Sequence, residues 1–390
     1  MAIPISYNLR NIQQRPVATL TTAVGVGLTV SIFIGALALA AGFRAALVST
    51  GSPDNAIVLR KGADSEISSG VTRDAVNIIR SHPGVAIGPD GRPLATADVV
   101  VVVNKPRLGF KGSSNVTVRG VDPSSVSVRA NVSVLPGGRA FTPGTDEVMV
   151  GRRVASRFAG CAVGDKVVLQ DRSFTVVGHF TTGGSAFESE IWGDAAVLGP
   201  AVGREGVFQT ATFRMKDPAR FDALKAELER DPRLQIQLKR EHDFYAEQSE
   251  LFVGLITGIG VFITLIMAIG AVFGAANTMY ATIGSRTREI ATLLVLGFRP
   301  GSILLSFLIE SVFICLLGGV IGCLLALPIN GIATSTTNFQ SFSEVGFAFA
   351  VTPEALMSGM VFSLLLGLVG GFFPARRAAK QVPARALRGE

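Results

Sequence analysis

The chain has 390 residues, of which 48% are hydrophobic and only 17% are charged. Its length would hold roughly two or three soluble domains, but this apolar-rich composition argues against a soluble protein. The net charge of +7 does not indicate a nucleic-acid binder, because the basic residues are not gathered with aromatic side chains in one segment. The three cysteines, Cys161, Cys315 and Cys323, are too few for a disulfide framework, and they neither require nor exclude an oxidising compartment.

The N-terminal part of the chain predicts a first membrane span. Residues 1–16 are polar and basic, and residues 17–41 contain no charged side chain. A helix crosses a bilayer with roughly 20 apolar residues, so this run is long enough. A cleaved signal peptide is the alternative, but its apolar region is only about 7–15 residues long. We therefore predict a first unit, residues 1–41, made of a cytoplasmic segment and transmembrane helix 1.

Residues 42–250 are polar and alternate between short β-like and helical patterns. Lys166–Leu169 and Phe174–Val177 have the spacing of a hairpin. Thr72 is suited to cap a helix that runs through Arg80, and Pro218 suits the first turn of a helix that ends near Glu229. These patterns predict a mixed α+β domain, built as one body or as two small lobes.

Three further apolar runs predict three more spans. They are Leu251 to about Ile283, Ile303 to about Ile329, and Ala355–Phe373. Glu241–Glu250 looks helical and leads directly into the second span, which predicts one continuous helix. Pro374 is expected to interrupt the last helix, because proline lacks the backbone N–H that a helix interior needs.

The distribution of Lys and Arg predicts the orientation of the spans. Basic residues occur in the N-terminal tip, between spans two and three, and in the C-terminal tail, whereas residues 331–354 contain none. Both termini are then cytoplasmic, and residues 42–250 lie outside. We predict an α-helical membrane protein with four transmembrane helices, plus a mixed α+β extracytoplasmic domain inserted between helices 1 and 2. Residues 251–390 form the third unit.

The segment between spans two and three has two distinct faces when it is read as a helix. The apolar face contains Ile283, Ile290, Leu294 and Gly297, with Leu293 beside it, and the polar face contains Ser285, Arg288, Glu289 and Thr292. This pattern is typical of a helix at a membrane surface. Val295 and Leu296 project near the polar side, which indicates a covering protein surface. An ordinary connecting helix with imperfect amphipathicity is the alternative, and periodicity leaves both open.

Two polar side chains fall inside predicted spans. Glu310 should face protein or be neutral, because a charge near the bilayer centre costs on the order of 3 kcal/mol or more. It is either a helix contact that rearranges or a residue close enough to the cytoplasmic end to reach headgroups. Asn277 has the same two interpretations. Glycine pairs four residues apart, such as Gly254 and Gly258, favour a packed bundle with a second copy or a related subunit.

No catalytic or metal-binding motif is visible in the sequence. The chain has no phosphate-binding glycine loop followed by Lys-Ser or Lys-Thr, no His-Glu-x-x-His and no Gly-x-Ser-x-Gly. Its three histidines, His82, His179 and His242, are far apart. We therefore expect no catalytic residues, no metal site and no directly bound cofactor.

Several motifs together resemble one known family, the permease subunits of MacB/FtsX-type ABC transporters. The matching residues are Asn8-Leu9-Arg10, Arg15-Pro16, Thr19, Asn277-Thr-Met, Ser285–Ile290, Leu293, Leu296-Gly297, Glu310, Gly318-Gly319, Gly370–Ala379, Pro383 and Ala386-Leu387-Arg388. The likeness covers all four predicted spans, and residues 42–250 stand where the family has its periplasmic domain. It is weakest in the middle of that domain.

This resemblance implies partners and a coupling role that the residues alone do not indicate. Residues 285–297 would be the cytoplasmic coupling helix that meets a separate ABC ATPase, and ATP would be bound by that partner. The implied coupling residues are Arg286, Arg288, Glu289, Ile290, Leu293, Val295, Leu296 and Gly297. The permease would pair with a second copy or a paralogue in the bacterial inner membrane. A periplasmic adaptor and an outer-membrane exit duct are further candidate partners.

We expect an ATP-driven export permease that moves its periplasmic domain to expel substrate from the periplasm or the outer leaflet. Two alternatives stay open: an FtsX-like regulator of cell-wall hydrolases with no transported substrate, and a lipoprotein-release subunit. The adaptor would favour export, and co-purification of a hydrolase would favour the regulator. Stranded lipoproteins after depletion would favour release.

Overall fold

A computed structural model of the protein describes residues 16–109, 111–129 and 131–381. The chain divides into two compact units. The helical unit comprises the chain up to Gly42, Gly254–Ile332 and the chain from Phe349 onward. The α/β unit comprises Phe43–Val253 and Ala333–Ala348.

The elements are numbered in chain order. They are α1 (Pro16–Val48), β1 (Asn55–Arg60), β2 (Val71–Thr72), α2 (Arg73–Arg80), β3 (Ala95–Pro106), β4 (Ser113–Val121), α3 (Ser125–Val128), β5 (Ser133–Val134), β6 (Glu147–Gly151), α4 (Arg152–Ala155), β7 (Lys166–Leu169), β8 (Arg172–Thr181), β9 (Glu190–Asp194), α5 (Ala195–Ala201), β10 (Val207–Phe208), β11 (Thr210–Arg214), α6 (Phe221–Arg230), β12 (Ile236–Arg240), α7 (Glu241–Ser285), α8 (Thr287–Val295), α9 (Pro300–Ala326), β13 (Ala333–Thr337), β14 (Glu344–Ala348) and α10 (Pro353–Ala379). Short 3-10 turns occupy Ala186–Ser189, Pro218–Arg220 and Leu327–Ile329.

Within the described residues, four helices are long and apolar enough to cross a membrane: α1, α7, α9 and α10. This confirms the four predicted apolar helices. The prediction of one helix from Glu241 into the second span is also confirmed, since α7 runs unbroken for 45 residues. The predicted interruption at Pro374 is wrong, because α10 continues to Ala379. Ala375 and Ala378, just beyond the proline, are fully buried, so packing offsets the lost backbone hydrogen bond.

Glycines bring α1 and α9 into close contact. A Cβ atom at Gly318 would lie 2.7 Å from the backbone oxygen of Ala23, and one at Gly322 would lie 2.7 Å from that of Gly27. Among the described residues, nothing lies within 4 Å of such an atom at four glycines of α7: Gly254, Gly258, Gly270 and Gly274. Some small-residue pairs therefore pack within the protomer, while contact of the others with a second copy stays a prediction.

The α/β unit is built on a sheet of ten strands within the described residues. The strand order is β12-β1-β11-β3-β4-β9-β6-β8-β5, and β7 pairs with β8. The predicted hairpin is confirmed, because Leu169 pairs with Arg172 across an antiparallel turn. The predicted start of α2 is confirmed as well, because the Thr72 hydroxyl accepts a hydrogen bond of 3.3 Å from the Ala75 amide.

The β13–β14 hairpin, between α9 and α10, belongs to the α/β unit. Its Glu344 carboxylate pairs with Arg107 and lies 3.1 Å from Arg157. The Gly346 amide donates a 2.8 Å hydrogen bond to the Ser189 hydroxyl. The sequence analysis assigned this loop to the unit formed by residues 251–390, whereas the contacts assign it to the α/β unit.

Candidate functional site

The candidate coupling segment begins where α7 ends. Arg286 follows α7 with φ −114° and ψ 16°, which breaks the helix, and its carbonyl accepts the first bond of α8 from the Ile290 amide at 3.0 Å. The sequence analysis treated residues 285–297 as one helix. The helix observed is Thr287–Val295, and the break means that residues before it do not share the helical phase of those after it.

A glycine ends α8 sharply. Gly297 has φ +89°, a left-handed conformation that glycine adopts without steric penalty. The Phe298 amide bonds to the Leu293 carbonyl at 3.1 Å, and the Gly297 amide bonds to the Leu294 carbonyl at 3.1 Å. These two bonds form a Schellman motif, which satisfies carbonyls that the end of a helix would otherwise leave free.

The two faces of α8 differ in burial. Ile290 is 1% exposed and packs with Ile283, Ile303 and Phe307, and Leu294 is partly buried against the same cluster. Val295 and Leu296 are 64% and 66% exposed. The remaining exposed members of the segment are Ser285, Arg288, Glu289, Thr292 and Gly297, and Leu293 is intermediate. Val295 and Leu296, which were predicted to project near the polar side, are therefore exposed. Their role as a contact for the ATPase stays a prediction.

Arg286 does not share this exposed surface. Its side chain is 9% exposed, and its guanidinium lies 3.4 Å from Glu310 and 3.0 Å from Glu289. The guanidinium carbon also lies 5.3 Å from the centre of the Phe307 ring. Arg286 and Ile290 therefore face the interior of the helical unit, which leaves Arg288, Glu289, Val295 and Leu296 accessible at the surface.

The intramembrane polar residues have different surroundings. Glu310 is 4% exposed and faces protein, as expected for a carboxylate in an apolar helix. Its pairing with Arg286 joins the start of α8 to α9. Asn277 lies exposed on α7, so the described residues do not enclose it in an interhelical hydrogen bond.

The histidines have separate local environments. His82 lies 3.3 Å from Glu227, and the His179 ring lies 2.8 Å from the Cys161 carbonyl oxygen. Across residues 16–109, 111–129 and 131–381, no group of three or more His, Cys, Asp or Glu is placed to hold a metal ion.

A buried ionic network in the α/β unit was not predicted from the sequence. Arg119 is 1% exposed, and its five N–H groups are directed at three carboxylates. Glu66 and Glu190 each accept two hydrogen bonds of 2.8–2.9 Å, and Asp98 accepts one of 3.2 Å. Asp98 also pairs with Arg129. The sequence signals for this network are single charged residues within valine-rich strands, Arg119 in β4 and Asp98 in β3.

Burial and ion pairing affect the carboxylates of this network in opposite directions. Burial alone would raise the pKa of Asp98, but the adjacent Arg129 and Arg119 outweigh burial and hold that pKa below its usual value. At Glu190 burial dominates, so its pKa is raised in spite of Arg119. The network is therefore a costly arrangement that depends on complete pairing.

Two family models match the chain. The model described as "MacB-like periplasmic core domain" matches residues 19–231, more than half of the chain, and the model described as "FtsX-like permease C-terminal" matches residues 261–383.

Individual proteins and one solved structure are also similar to this chain. A protein named "Macrolide export ATP-binding/permease protein MacB 1", from Aeromonas hydrophila subsp. hydrophila, is 29% identical over 63% of this chain and 38% of its own length. An uncharacterized ABC transporter permease of Methanocaldococcus jannaschii is 29% identical over 58% of each chain. The crystal structure of the periplasmic region of MacB from Actinobacillus actinomycetemcomitans overlaps 50% of this chain and 91% of its own, with 12% identity and a TM-score of 0.36.

Proposed function

Because the chain belongs to the MacB/FtsX type of ABC transporter permease, we propose that it transmits the motion of a cytoplasmic ATPase to its α/β unit. It is a multi-pass membrane protein of that family. In this proposal the complex expels a substrate from the periplasm or the outer leaflet of a bacterial inner membrane. The α/β unit is periplasmic, both termini are cytoplasmic, and the permease works as a pair with a periplasmic adaptor. ATP is bound by the partner ATPase.

The observation that carries this proposal is the exposure of Val295 and Leu296 at the end of α8. Two adjacent apolar side chains, 64% and 66% exposed, stand on the face that also carries Arg288 and Glu289. Full burial of a valine or leucine side chain is worth roughly 1.5–3 kcal/mol, so covering this pair would add measurably to the affinity of a partner. An apolar centre with charged residues around it is the composition of a protein-binding surface.

The position of α8 in the chain supports a mechanical role. It follows α7 after the single residue Arg286, and α7 has 45 residues, which corresponds to about 68 Å at 1.5 Å per residue. At its other end, α7 begins with Glu241, whose carboxylate accepts hydrogen bonds from Ser52 and Asn55 of the α/β unit. A displacement of α8 would therefore be carried along one continuous helix to residues that anchor the sheet.

The ion pair at the start of α8 supports the same role. Arg286 and Glu310 are both buried, and they join α8 to α9. Charged side chains are rare in spanning helices because they are costly there, and they mark functional contacts. In the proposal this pair makes α8 and α9 respond together to the ATPase.

Leu296→Asp tests the proposal in native membranes. We expect the variant to insert normally but to lose at least about nine tenths of the co-purifying ATPase, since it places a charge where an apolar contact is expected. Val168→Asp is a matched control, because Val168 is 64% exposed but lies in β7 of the α/β unit. Equal ATPase recovery with both variants would contradict the coupling role.

The proteins that accompany the wild-type complex test the export part of the proposal. An adaptor that co-purifies with the permease and ATPase is expected. A cell-wall hydrolase in its place would indicate a regulator, and lipoproteins stranded in the inner membrane after depletion would indicate a release function.

A further inference from the structure

A cleft of about 710 Å³ opens at one end of the α/β unit. Its walls come from segments that are distant in sequence: residues 45–55, the chain after α3, the end of β11 and the start of α7. Apolar side chains line part of it, including Ala45, Val48 and Phe187. The cleft therefore has an apolar wall beside polar side chains.

Four residues of this cleft each have one buried polar atom without a hydrogen-bond partner among the described residues. The atoms are Asn55 Oδ1, Arg129 Nε, Arg214 Nε and Glu241 Oε1. Asn55 and Glu241 are 1% exposed, and Arg129 is 7% exposed. A buried polar atom without a hydrogen-bond partner destabilises the folded state. Four such atoms therefore belong to residues that line one cleft, where a bound group or ordered water could complete their hydrogen bonds.

The partners that these side chains do have fix the unpaired atoms in position. Glu241 Oε2 accepts hydrogen bonds from the Ser52 amide at 3.0 Å and from Asn55 Nδ2 at 2.9 Å. Asn55 and Arg214 are paired across β1 and β11, and both donate to the Val128 carbonyl, at 3.3 Å and 3.0 Å. Existing hydrogen bonds therefore hold the side chains of Glu241 and Asn55 in place, and with them the oxygen atoms that have no partner.

The charges indicate what the cleft would accept. In the part of the chain that the structure describes, Glu241 forms no ion pair with a basic side chain, and Arg214 forms none with an acidic one. Arg129, by contrast, already pairs with Asp98. The cleft thus offers one carboxylate and one amide oxygen as acceptors, and one guanidinium as an anion partner. Guanidinium suits carboxylate and phosphate groups.

We propose that this cleft binds a small zwitterion, with its ammonium group at Glu241 and Asn55 and its carboxylate or phosphate group at Arg214. The same chemistry occurs in a free amino acid and in the ethanolamine headgroup of a phospholipid. The site includes Glu241, the first residue of α7. This inference therefore rests on the proposed function in one respect: a ligand bound here would affect the helix that is proposed to transmit the motion of the ATPase. Ordered water would also satisfy the four atoms, and the experiment below separates the two.

Calorimetric titration of the full chain tests the proposal, with the protein in nanodiscs of phosphatidylglycerol, which has no amine. L-alanine and phosphoethanolamine are the probes, and N-acetyl-L-alanine and L-alaninamide each lack one of the two charges. We expect at least one zwitterion to bind, with each singly charged analogue weaker by about tenfold or more, because a hydrogen bond to a charged group is lost. Binding of phosphoethanolamine but not L-alanine would indicate that the ligand is a phospholipid headgroup. Binding of L-alanine would indicate a soluble amino acid.

Two variants connect the binding to the cleft. Glu241→Gln keeps the shape but removes the charge, and Arg214→Met removes the anion partner, so each should raise the Kd about tenfold or more. Glu250→Gln is the control, since Glu250 is on the same helix, exposed and outside the cleft. If Glu241→Gln does not fold, Arg214→Met carries the test. Absence of binding by both zwitterions, unchanged affinity in both variants, or a high-resolution structure in the zwitterion that binds with water alone in the cleft would overturn the proposal.

Discussion

Replacing Arg119 by methionine should destabilise the α/β unit far more than the loss of an exposed arginine would. Methionine has a similar length but no charge, so the substitution removes five N–H donors and leaves three carboxylates without their shared cation. Asp98 would still have Arg129, but Glu66 and Glu190 would lose the only basic partner that the described ion pairs give them. Both are at least nine-tenths buried.

The expected size of the effect follows from the burial of the network. Removing one partner of a buried ion pair typically costs about 3–5 kcal/mol, because the remaining charge stays buried without compensation. A domain has about 5–15 kcal/mol of total stability. For a unit of about 200 residues, each kcal/mol changes the Tm by about 2–4 °C, so we expect a decrease of about 6–20 °C.

Scanning calorimetry of the full chain in detergent measures this change. Arg139→Met is the matched control, because Arg139 pairs with Glu147 while 55% exposed, and such exposed pairs contribute only about 0–1 kcal/mol. Adding Glu190→Gln to Arg119→Met should recover part of the loss by removing an uncompensated charge. If the two single variants lowered the Tm equally, or if the second substitution recovered nothing, the reasoning from buried charge would be refuted.

Three further predictions concern carboxylates in other settings. Glu344→Gln should raise amide hydrogen exchange in the β13–β14 hairpin about tenfold or more, because it weakens buried charged contacts; unchanged protection would contradict the hairpin's proposed anchoring. Hydrogen bonding by Arg139 lowers the pKa of Glu147 from 4.5 to about 2. Because solvent screens this exposed pair, its contribution to stability is small; it is complete above pH 4.5 and is lost as the pH falls toward 2. The Tm difference between wild type and Glu147→Gln should shrink over that window, and a constant difference would argue against the pair. Under the proposed function, Glu310→Gln should reduce ATP turnover of the assembled complex several-fold while Glu354→Gln, at an exposed helix start, leaves it unchanged; equal turnover would favour a purely structural pair.

Length and local chemistry made the apolar helices and the turns predictable. An uncharged run that is long enough to cross a bilayer must satisfy its backbone hydrogen bonds internally, and a helix does this within one segment. Residues 17–41 and the three later runs are accordingly found as helices. Thr72 and the turn before Arg172 act through atoms a few residues away, so their signals lie within a short window. The interruption predicted at Pro374 is wrong because the burial of neighbouring residues outweighs the unfavourable effect of proline inside a helix.

Contacts between distant residues were not predictable from patterns. Side chains alternate between the two faces of a strand, so Arg119 lies on the same face of β4 as Thr117. Two polar residues on one face suggest that this face is exposed to solvent, yet both faces of the second half of β4 are buried. Its partners Glu66 and Glu190 are 53 and 71 residues away in sequence. Likewise, the periodicity of the coupling segment predicted that Val295 and Leu296 project near the polar side, but it did not predict the helix break at Arg286 or the burial of that side chain.

The glycine contacts between α1 and α9 have a consequence for measuring motion in this protein. The Ala23 and Gly27 carbonyls leave no room for a side chain at Gly318 or Gly322, so a turn or slide that replaced either glycine by a larger neighbouring residue would cause a steric clash. Under the proposed function, spin labels on α1 and α9 away from this contact should report a nearly constant separation while the partner ATPase binds and hydrolyses ATP. The exposed glycine-bearing side of α7 has no such restraint from the described residues, so a label beside Gly270 or Gly274 is the informative position.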